Sequence, residues 1–334
     1  MKILYIANGN GLNPNVGGSL MRTIEISKRL KEHGYIIRFL TTPGGFRACQ
    51  NKGVKAQFHI IPSSIFKKTE TSILDRIVGY VISTIASIFH IKKIPQCDIV
   101  YSDSDYFCDV IPSMLYKLRT KTKWIAMIHH LITPRRHHFK DRFSANLSAI
   151  FQKLTYQLIK RYADSIFVYD TDMGQNISNY FISLGFQKER IHYVNNGVDL
   201  RYIEKIQVNT NSKQYDGCFL GGLRPGKGIY DIVPIWIEVT KNNNVKTLIV
   251  IGGGLSHFEN KFKMQIKDGN MNKKIIAIGP KSHEESLKMI KQSKVLINPS
   301  YEEGWGTAVC EALAIGIPVV AYDLPTYKIF GDSV

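Results

Sequence analysis

Short apolar runs alternate with longer amphipathic stretches along almost all of the 334-residue chain. KILYIA from Lys2, YIIRFLTT from Tyr35, CDIVYS from Cys97, KWIAMIHH from Lys123 and SIFVYD from Ser165 have the length and content of buried strands. Between the first two, SLMRTIEISKRLKEHG places Leu20, Ile24, Ile26 and Leu30 near helical spacing and closes on basic residues and a glycine. Strand-helix alternation of this kind predicts parallel sheets covered on both faces. The pattern pauses after Asp199, where RYIEKIQVNTNSKQY reads as a polar linker. It resumes with DGCFLGG, a helix from about Ile229, KTLIVIGGG, KKIIAIG, a helix over SHEESLKMIKQS, KVLINPS, a helix over AVCEALAIG, and PVVAYD. The expectation is two doubly wound α/β domains, residues 1–200 and 201–334, facing a cleft. In such sheets ligands sit at the carboxyl ends of the strands.

Composition adds charge to this picture. There are 44 Lys and Arg against 27 Asp and Glu, a net charge of +17. Such an excess implies an anionic partner. It is densest from Lys117 to Arg142, which holds eight Lys or Arg, four His and one acid. Nucleic acid is not expected, because the aromatic residues do not interleave with the basic run in a stacking pattern and no nucleic-acid motif is present. The five cysteines form no CxxC pair, which argues for a reducing compartment and against zinc. His129-His130 and His137-His138 have no Cys or acid to complete a metal set. The opening run MKILYIANGN is too short for a signal peptide, and no apolar run is long enough to span a bilayer.

Three glycine-bearing turns carry the candidate chemistry. Gly17 and Gly18 lie between the first strand and first helix, where helix amides attract phosphate, but the spacing is not GxGxxG. In FLGGLRPGKGIYD, Arg224 and Lys227 stand between a strand and a helix, a fork and a point charge suited to a diphosphate. In NPSYEEGWGTAVCEALAIGIPVV, Glu303 sits on the turn with Gly304, Trp305 and Gly306, Thr307 opens a helix, and Glu311 follows on it. Two acids flanking helix-end amides suit a ligand rich in hydroxyls and phosphates, such as a nucleotide sugar.

These motifs resemble glycosyltransferase family 4, the retaining glycosyltransferases with a GT-B fold of two Rossmann-like domains. The residues that carry the likeness are Glu303-Gly304-Trp305-Gly306-Thr307 with Glu311-Ala312-Leu313-Ala314, then Gly316-Ile317-Pro318-Val319-Val320, together with Asn196-Gly197-Val198-Asp199, Gly17-Gly18 and GGLRPGKG. The resemblance implies a retaining hexosyltransferase that moves a sugar from a UDP- or GDP-sugar to a glycan or lipid-linked acceptor, in glycan or polysaccharide synthesis. It implies no cofactor and no metal. It places Lys227 on the donor diphosphate, Glu311 on the ribose, Glu303 and the amides after it on the transferred sugar, and His129 beside that sugar from the first domain. Asp103-Ser104-Asp105, after an N-domain strand, reads as helix capping rather than a metal motif.

The chain departs from the family at Gly222, where the family has an arginine, and at Tyr169, where a serine is common. Family members usually continue beyond PVVAYD, so the C-terminal end reads as truncated. Other readings are a sugar-nucleotide epimerase of the same fold and a non-catalytic basic binding protein. Arg135 and Arg136 lie on the acceptor side and suit an anionic acceptor or an acidic membrane surface. The apolar stretch from Asp75 to Lys93 reads as a core-facing helix, with an interfacial helix as the alternative. Together these place the protein in the cytoplasm, peripheral at the inner face of a membrane.

Overall fold

The structure is a computed structural model that describes residues 1–9, 18–62, 73–129, 131, 142–208, 213–241 and 246–333. The chain divides into two compact units, Met1–Asn195 and Asn196–Val334.

The first unit runs β1 (Lys2–Ala7), α1 (Gly18–Glu32), β2 (Ile36–Thr41), α2 (Pro43–Asn51), β3 (Gln57–Ile60), α3 (Ile73–Ile91), β4 (Ile99–Ser102), α4 (Phe107–Thr120), β5 (Lys123–Met127), α5 (Arg142–Tyr162), β6 (Ser165–Tyr169), α6 (Asp172–Ser183) and β7 (Ile191–Val194). Its seven strands are parallel, in the order β3-β2-β1-β4-β5-β6-β7. Ile3 pairs with Ile37 on one side and Ile99 on the other. Being covered on both faces, β1 buries every residue from Ile3 to Ala7, which is why it reads as a continuous apolar run. The edge strands β3 and β7 were not legible. QFHI and IHYV are largely half-exposed or exposed and need no such run.

Helix α3 packs against α4 and enters the core through Ile91 and Ala86, as its composition suggests, but it is apolar on its outer side as well. Ser83, Thr84 and Ser87 are buried, while Val78, Val81, Ile85 and Phe89 face solvent. The inward hydroxyls have partners: Ser87 Oγ accepts from Asn8 Nδ2 at 3.0 Å, and Thr84 Oγ1 donates to the Tyr80 carbonyl at 2.7 Å. Among the described residues no helix is long and apolar enough to cross a membrane.

The second unit runs α7 (Leu200–Glu204), β8 (Gly217–Leu220), α8 (Ile232–Thr240), β9 (Leu248–Ile251), α9 (Ser256–Asp268), β10 (Ile275–Gly279), α10 (His283–Lys291), β11 (Leu296–Asn298), α11 (Thr307–Ile315) and β12 (Val319–Ala321). The stretch expected to be a linker begins instead with helix α7. Asp199 caps it by accepting from the Tyr202 amide at 3.2 Å, and Ile203 and Ile206 enter the core. The five strands are parallel, in the order β10-β9-β8-β11-β12. Alternate residues serve two layers: Cys218, Ile249, Ile251 and Leu296 pack with Leu287, and Phe219, Leu248, Val250 and Ile297 pack with Trp236. Strand order reverses between β8 and β11, the place at which an open α/β sheet ordinarily takes its ligand.

Candidate functional site

In the second unit, the two loops that leave β8 and β11 are held against each other. The Tyr301 amide donates to the Gly226 carbonyl at 3.0 Å. Gly228 has φ 66°, and a Cβ there would fall 1.8 Å from the Pro299 carbonyl oxygen. Only glycine meets both conditions, and this contact seats Lys227, in the 3-10 turn Pro225–Lys227, opposite the β11 loop.

Lys227 Nζ forms an ion pair with Glu303 Oε1, and the two side chains are 20% and 9% exposed. Glu303 is held from three directions. Ser300 Oγ lies 2.9 Å from its Oε1 and 2.6 Å from Asn298 Oδ1, and Thr326 Oγ1 donates to its carbonyl at 2.9 Å. Asn298 Nδ2 in turn donates to the Tyr327 hydroxyl at 2.9 Å. Burial, with the Glu303 charge beside it, pushes that hydroxyl far above the ordinary tyrosine value, so it stays protonated. The two residues read separately, Lys227 for a diphosphate and Glu303 for a sugar, are therefore partners of each other. Their separation of 76 residues hid that pairing from the sequence.

Gly306 caps α11 at φ 82° with no side chain to bond the first-turn amides. Gly304 is half-exposed, and Trp305 is buried edge-on to Phe330, with ring centroids 6.0 Å apart. Thr307 opens the helix, and Glu311 lies buried on its second turn. Glu311 Oε1 accepts from His283 Nε2 at 2.6 Å, and His283 stacks flat on Tyr202 at 5.7 Å. The motif ending in Asp199 thus reaches Glu311 through the capped helix α7, Tyr202 and His283. His283 was missed by sequence reasoning. Its available signal was its place as the first residue of α10, just beyond β10 and directly after the N-cap Ser282 of the Ser282–Glu285 capping box.

Arg224 is exposed, and its guanidinium has no hydrogen bond or ion pair among the described residues. Gly222 is also exposed, and a Cβ there would meet nothing nearer than 3.9 Å, so the position has room for a side chain. Asp231 was not singled out from sequence. It accepts hydrogen bonds from Tyr301 and, at 3.0 Å, from Tyr322, which braces the β11 loop. An apolar groove of about 480 Å³ beside α8 and β12 contains none of the candidate residues.

In the first unit, Gly18 is the first residue of α1, whereas Gly17, Arg135 and Arg136 lie outside the described residues. So do His130, His137 and His138. The polar centre lies where strand order reverses between β1 and β4. Asp109 accepts from the amides of Asn8 at 2.6 Å and Gly9 at 3.2 Å, and from Ser104 Oγ. Complete burial pushes its carboxyl up to about 8 against these bonds. The capping role expected for Asp103-Ser104-Asp105 is corrected. The cap of α4 is Tyr106, without a side-chain bond. Asp103 instead accepts from Thr23 on α1, and Asp105 accepts from Gln152 Nε2 at 2.7 Å and Tyr156 Oη at 3.1 Å on α5. Both carboxylates point inward as acceptors that tie helices to the sheet.

His129 follows β5, and both of its ring nitrogens are engaged. Nε2 donates to the Asp103 carbonyl at 2.7 Å, and Nδ1 lies within hydrogen-bond distance, 3.0 Å, of the Tyr169 hydroxyl. Burial raises that hydroxyl well above its ordinary value, so it keeps its proton. The tyrosine that departs from the family serine thus holds the ring of the candidate histidine in place.

Residues 16–202 match the family described as Glycosyltransferase Family 4, and residues 202–329 match Glycosyl transferases group 1. An uncharacterized glycosyltransferase of Methanocaldococcus jannaschii is 24% identical over 241 residues, covering 70% of this chain and 59% of that protein. The chain spans less than two thirds of the length of the curated relatives it matches. Among solved structures, HepE of Anabaena in complex with UDP and glucose superposes with a TM-score of 0.71 at 14% identity, covering 99% of this chain and 83% of that one. Sucrose-phosphate synthase of Thermosynechococcus elongatus superposes with a TM-score of 0.70 at 14% identity, covering 98% and 83%. This likeness shows the fold, which is GT-B.

Proposed function

The chain belongs to Glycosyltransferase Family 4, and from that premise we propose that it moves a hexose or related sugar from a nucleotide-sugar donor to a glycan or lipid-linked acceptor, with retention of configuration. The observation that carries this reading is the Lys227–Glu303 pair, set beside the uncapped amides of α11 where strand order reverses in the second unit. One partner suits a diphosphate and the other a sugar hydroxyl, and both are held ready by backbone and side-chain bonds. The binding of UDP and glucose by HepE supports a UDP- or GDP-sugar as donor.

On this reading, Lys227 turns from Glu303 to the donor diphosphate as the donor enters, with Arg224 as a second cation from the same loop. The amides of Thr307 and its neighbours add the positive end of α11, so the leaving diphosphate is neutralised without a metal. Glu303 holds hydroxyls of the transferred sugar, and Glu311, oriented by His283, takes the ribose. His129 acts as a fixed positioning group, because both ring nitrogens are already bonded and neither is offered as a base. The acceptor hydroxyl attacks on the face that the diphosphate leaves, and its proton passes to the departing oxygen. The first unit supplies the acceptor side, and we place the enzyme in the cytoplasm at the inner face of a membrane.

The test is nucleoside diphosphate release from a panel of UDP-, GDP- and ADP-sugars, with and without membrane lipid extract. Release from one donor that depends on an added acceptor is expected. Interconversion of the donor sugar with no acceptor requirement would instead assign an epimerase, and absence of both release and donor binding would sink catalysis altogether.

A further inference from the structure

The first unit carries a second surface feature, formed by residues that take no part in the candidate donor site. Helix α3 turns one apolar side outward: Val78, Val81, Ile85 and Phe89 follow one another at helical spacing, with Ile85 52% and Phe89 63% exposed. The inward side carries Ser83, Thr84 and Ser87 together with the core residue Ile91. A helix on a water-facing surface is polar on its outer side, whereas this one carries there an apolar stripe about 16 Å long that no described residue covers. Isolated exposed apolar residues are ordinary, but four in register along one helix face form a patch.

Within one turn's length of Phe89 the chain reaches Lys92 and Lys93. These line a shallow pocket of about 590 Å³ together with Arg119 and Lys121 from the end of α4. No acid lines it. Arg119 braces the pocket, donating to the carbonyls of Lys92 at 2.8 Å and Ile94 at 2.9 Å. Lys92, Lys93 and Lys121 are exposed and form no ion pair among the described residues. Lys121 also holds the left-handed cap of α4 at φ 58°, a position where glycine is the ordinary choice, so a cation is kept there at a conformational cost.

We propose that this side of the first unit docks on an anionic phospholipid bilayer, with the α3 stripe entering the interface and the lysine pocket engaging headgroup phosphates. An apolar helix face bordered by unpaired cations is the physical signature of an interfacial surface. A free phosphate would occupy the pocket and leave the stripe in water. A nucleic acid would use the cations and have no use for four aliphatic and aromatic side chains. The proposal extends the functional reading by naming the surface at which the protein works, yet it is tested without donor or acceptor, so either idea can fail alone.

The experiment is flotation of the full chain with vesicles of phosphatidylcholine alone, or of phosphatidylcholine and phosphatidylglycerol in equal parts. Variants are Ile85→Ser/Phe89→Ser, Lys92→Gln/Lys93→Gln, and Met264→Ser as an exposed apolar control on α9. Circular dichroism confirms folding of each. Binding to anionic vesicles only is expected. It should weaken at least tenfold in the apolar double variant and about 25-fold in the lysine double variant, at roughly fivefold per cation. It should be unchanged in Met264→Ser and insensitive to inorganic phosphate. The proposal is overturned if wild type ignores anionic vesicles, if either double variant floats like wild type, or if RNA binds while vesicles do not. Sedimentation supplies the last refutation: a dimer that Ile85→Ser/Phe89→Ser dissociates without loss of flotation would assign the stripe to a second copy.

Discussion

Replacing Glu303 with glutamine separates the two halves of the candidate donor site. The amide keeps the shape of the side chain and can still accept from Ser300, so the loop after β11 should hold its course. What is lost is the charge opposite Lys227. Two unit charges about 4 Å apart at an effective dielectric of about 20 attract by roughly 4 kcal/mol before desolvation. The net value of a hydrogen bond to a charged group is about 1.5–3 kcal/mol. The variant should therefore melt roughly 4–9 °C lower. Its affinity for free UDP or GDP should nevertheless rise, because the phosphates no longer compete with Glu303 for the lysine. Recovering even 1.4 kcal/mol of that competition is about tenfold in Kd. On the proposed roles, turnover should fall by roughly a hundredfold, since the carboxylate proposed to hold the sugar is gone. Calorimetry with UDP and GDP on wild type, Glu303→Gln and Lys227→Met reads the affinities, thermal melting reads the stability, and nucleoside diphosphate release from the donor reads the turnover. Weakening of diphosphate binding in Glu303→Gln to the level of Lys227→Met would refute the argument, because the ion pair would then act as one unit rather than as two groups with separate ligands.

Three further outcomes follow from the geometry. His283→Ala leaves the buried Glu311 carboxylate without its 2.6 Å donor, which should cost about 1–3 kcal/mol of stability and weaken UDP binding by about tenfold, with inorganic diphosphate binding unchanged in calorimetry. Gly228→Ala combines a left-handed backbone with a Cβ 1.8 Å from the Pro299 oxygen. Denaturant titration should show a loss of at least about 2 kcal/mol, and a stable variant would mean that the two loops are not held together as described. Asp109 titrates at about 8 when folded, against 3.8 as an ordinary aspartate. The native state then holds the extra proton across that window, so this group makes stability fall as pH rises from about 4 to about 8, by at most about 1.4 kcal/mol per pH unit, and adds no slope above. Asp109→Asn imitates the protonated carboxyl, so its melting temperature should depend less on pH than that of wild type; parallel curves would remove the group from the account.

The strands that are buried on both faces were legible because each must be apolar throughout: KILYIA, SIFVYD and KTLIVIGGG mark β1, β6 and β9. The half-covered β3 and β7 have no such requirement and left no mark. The turn around Glu303 was legible for a related reason. Glycines beside an acid at the start of a helix are few, and Gly306 does adopt the left-handed cap that only glycine takes readily. The short helix α7 was hidden inside a polar stretch, since five residues on an Asp199 cap cannot establish a period.

Other features exist only in three dimensions. Lys227 meets Glu303, and His283 meets Glu311, because parallel crossovers return each strand end to the same edge of the sheet. No spacing along the chain encodes which loop will face which. Helix α3 is the plainest case. Its composition announces an apolar helix, and that much is settled by local chemistry alone. Which side turns inward was decided by packing on α4 and at the end of β1, where Asn8 Nδ2 donates both to Ser87 Oγ and to the Cys108 carbonyl. Ser83, Thr84, Ser87 and Ile91 lie on that side, and Val78, Val81, Ile85 and Phe89 are left facing out.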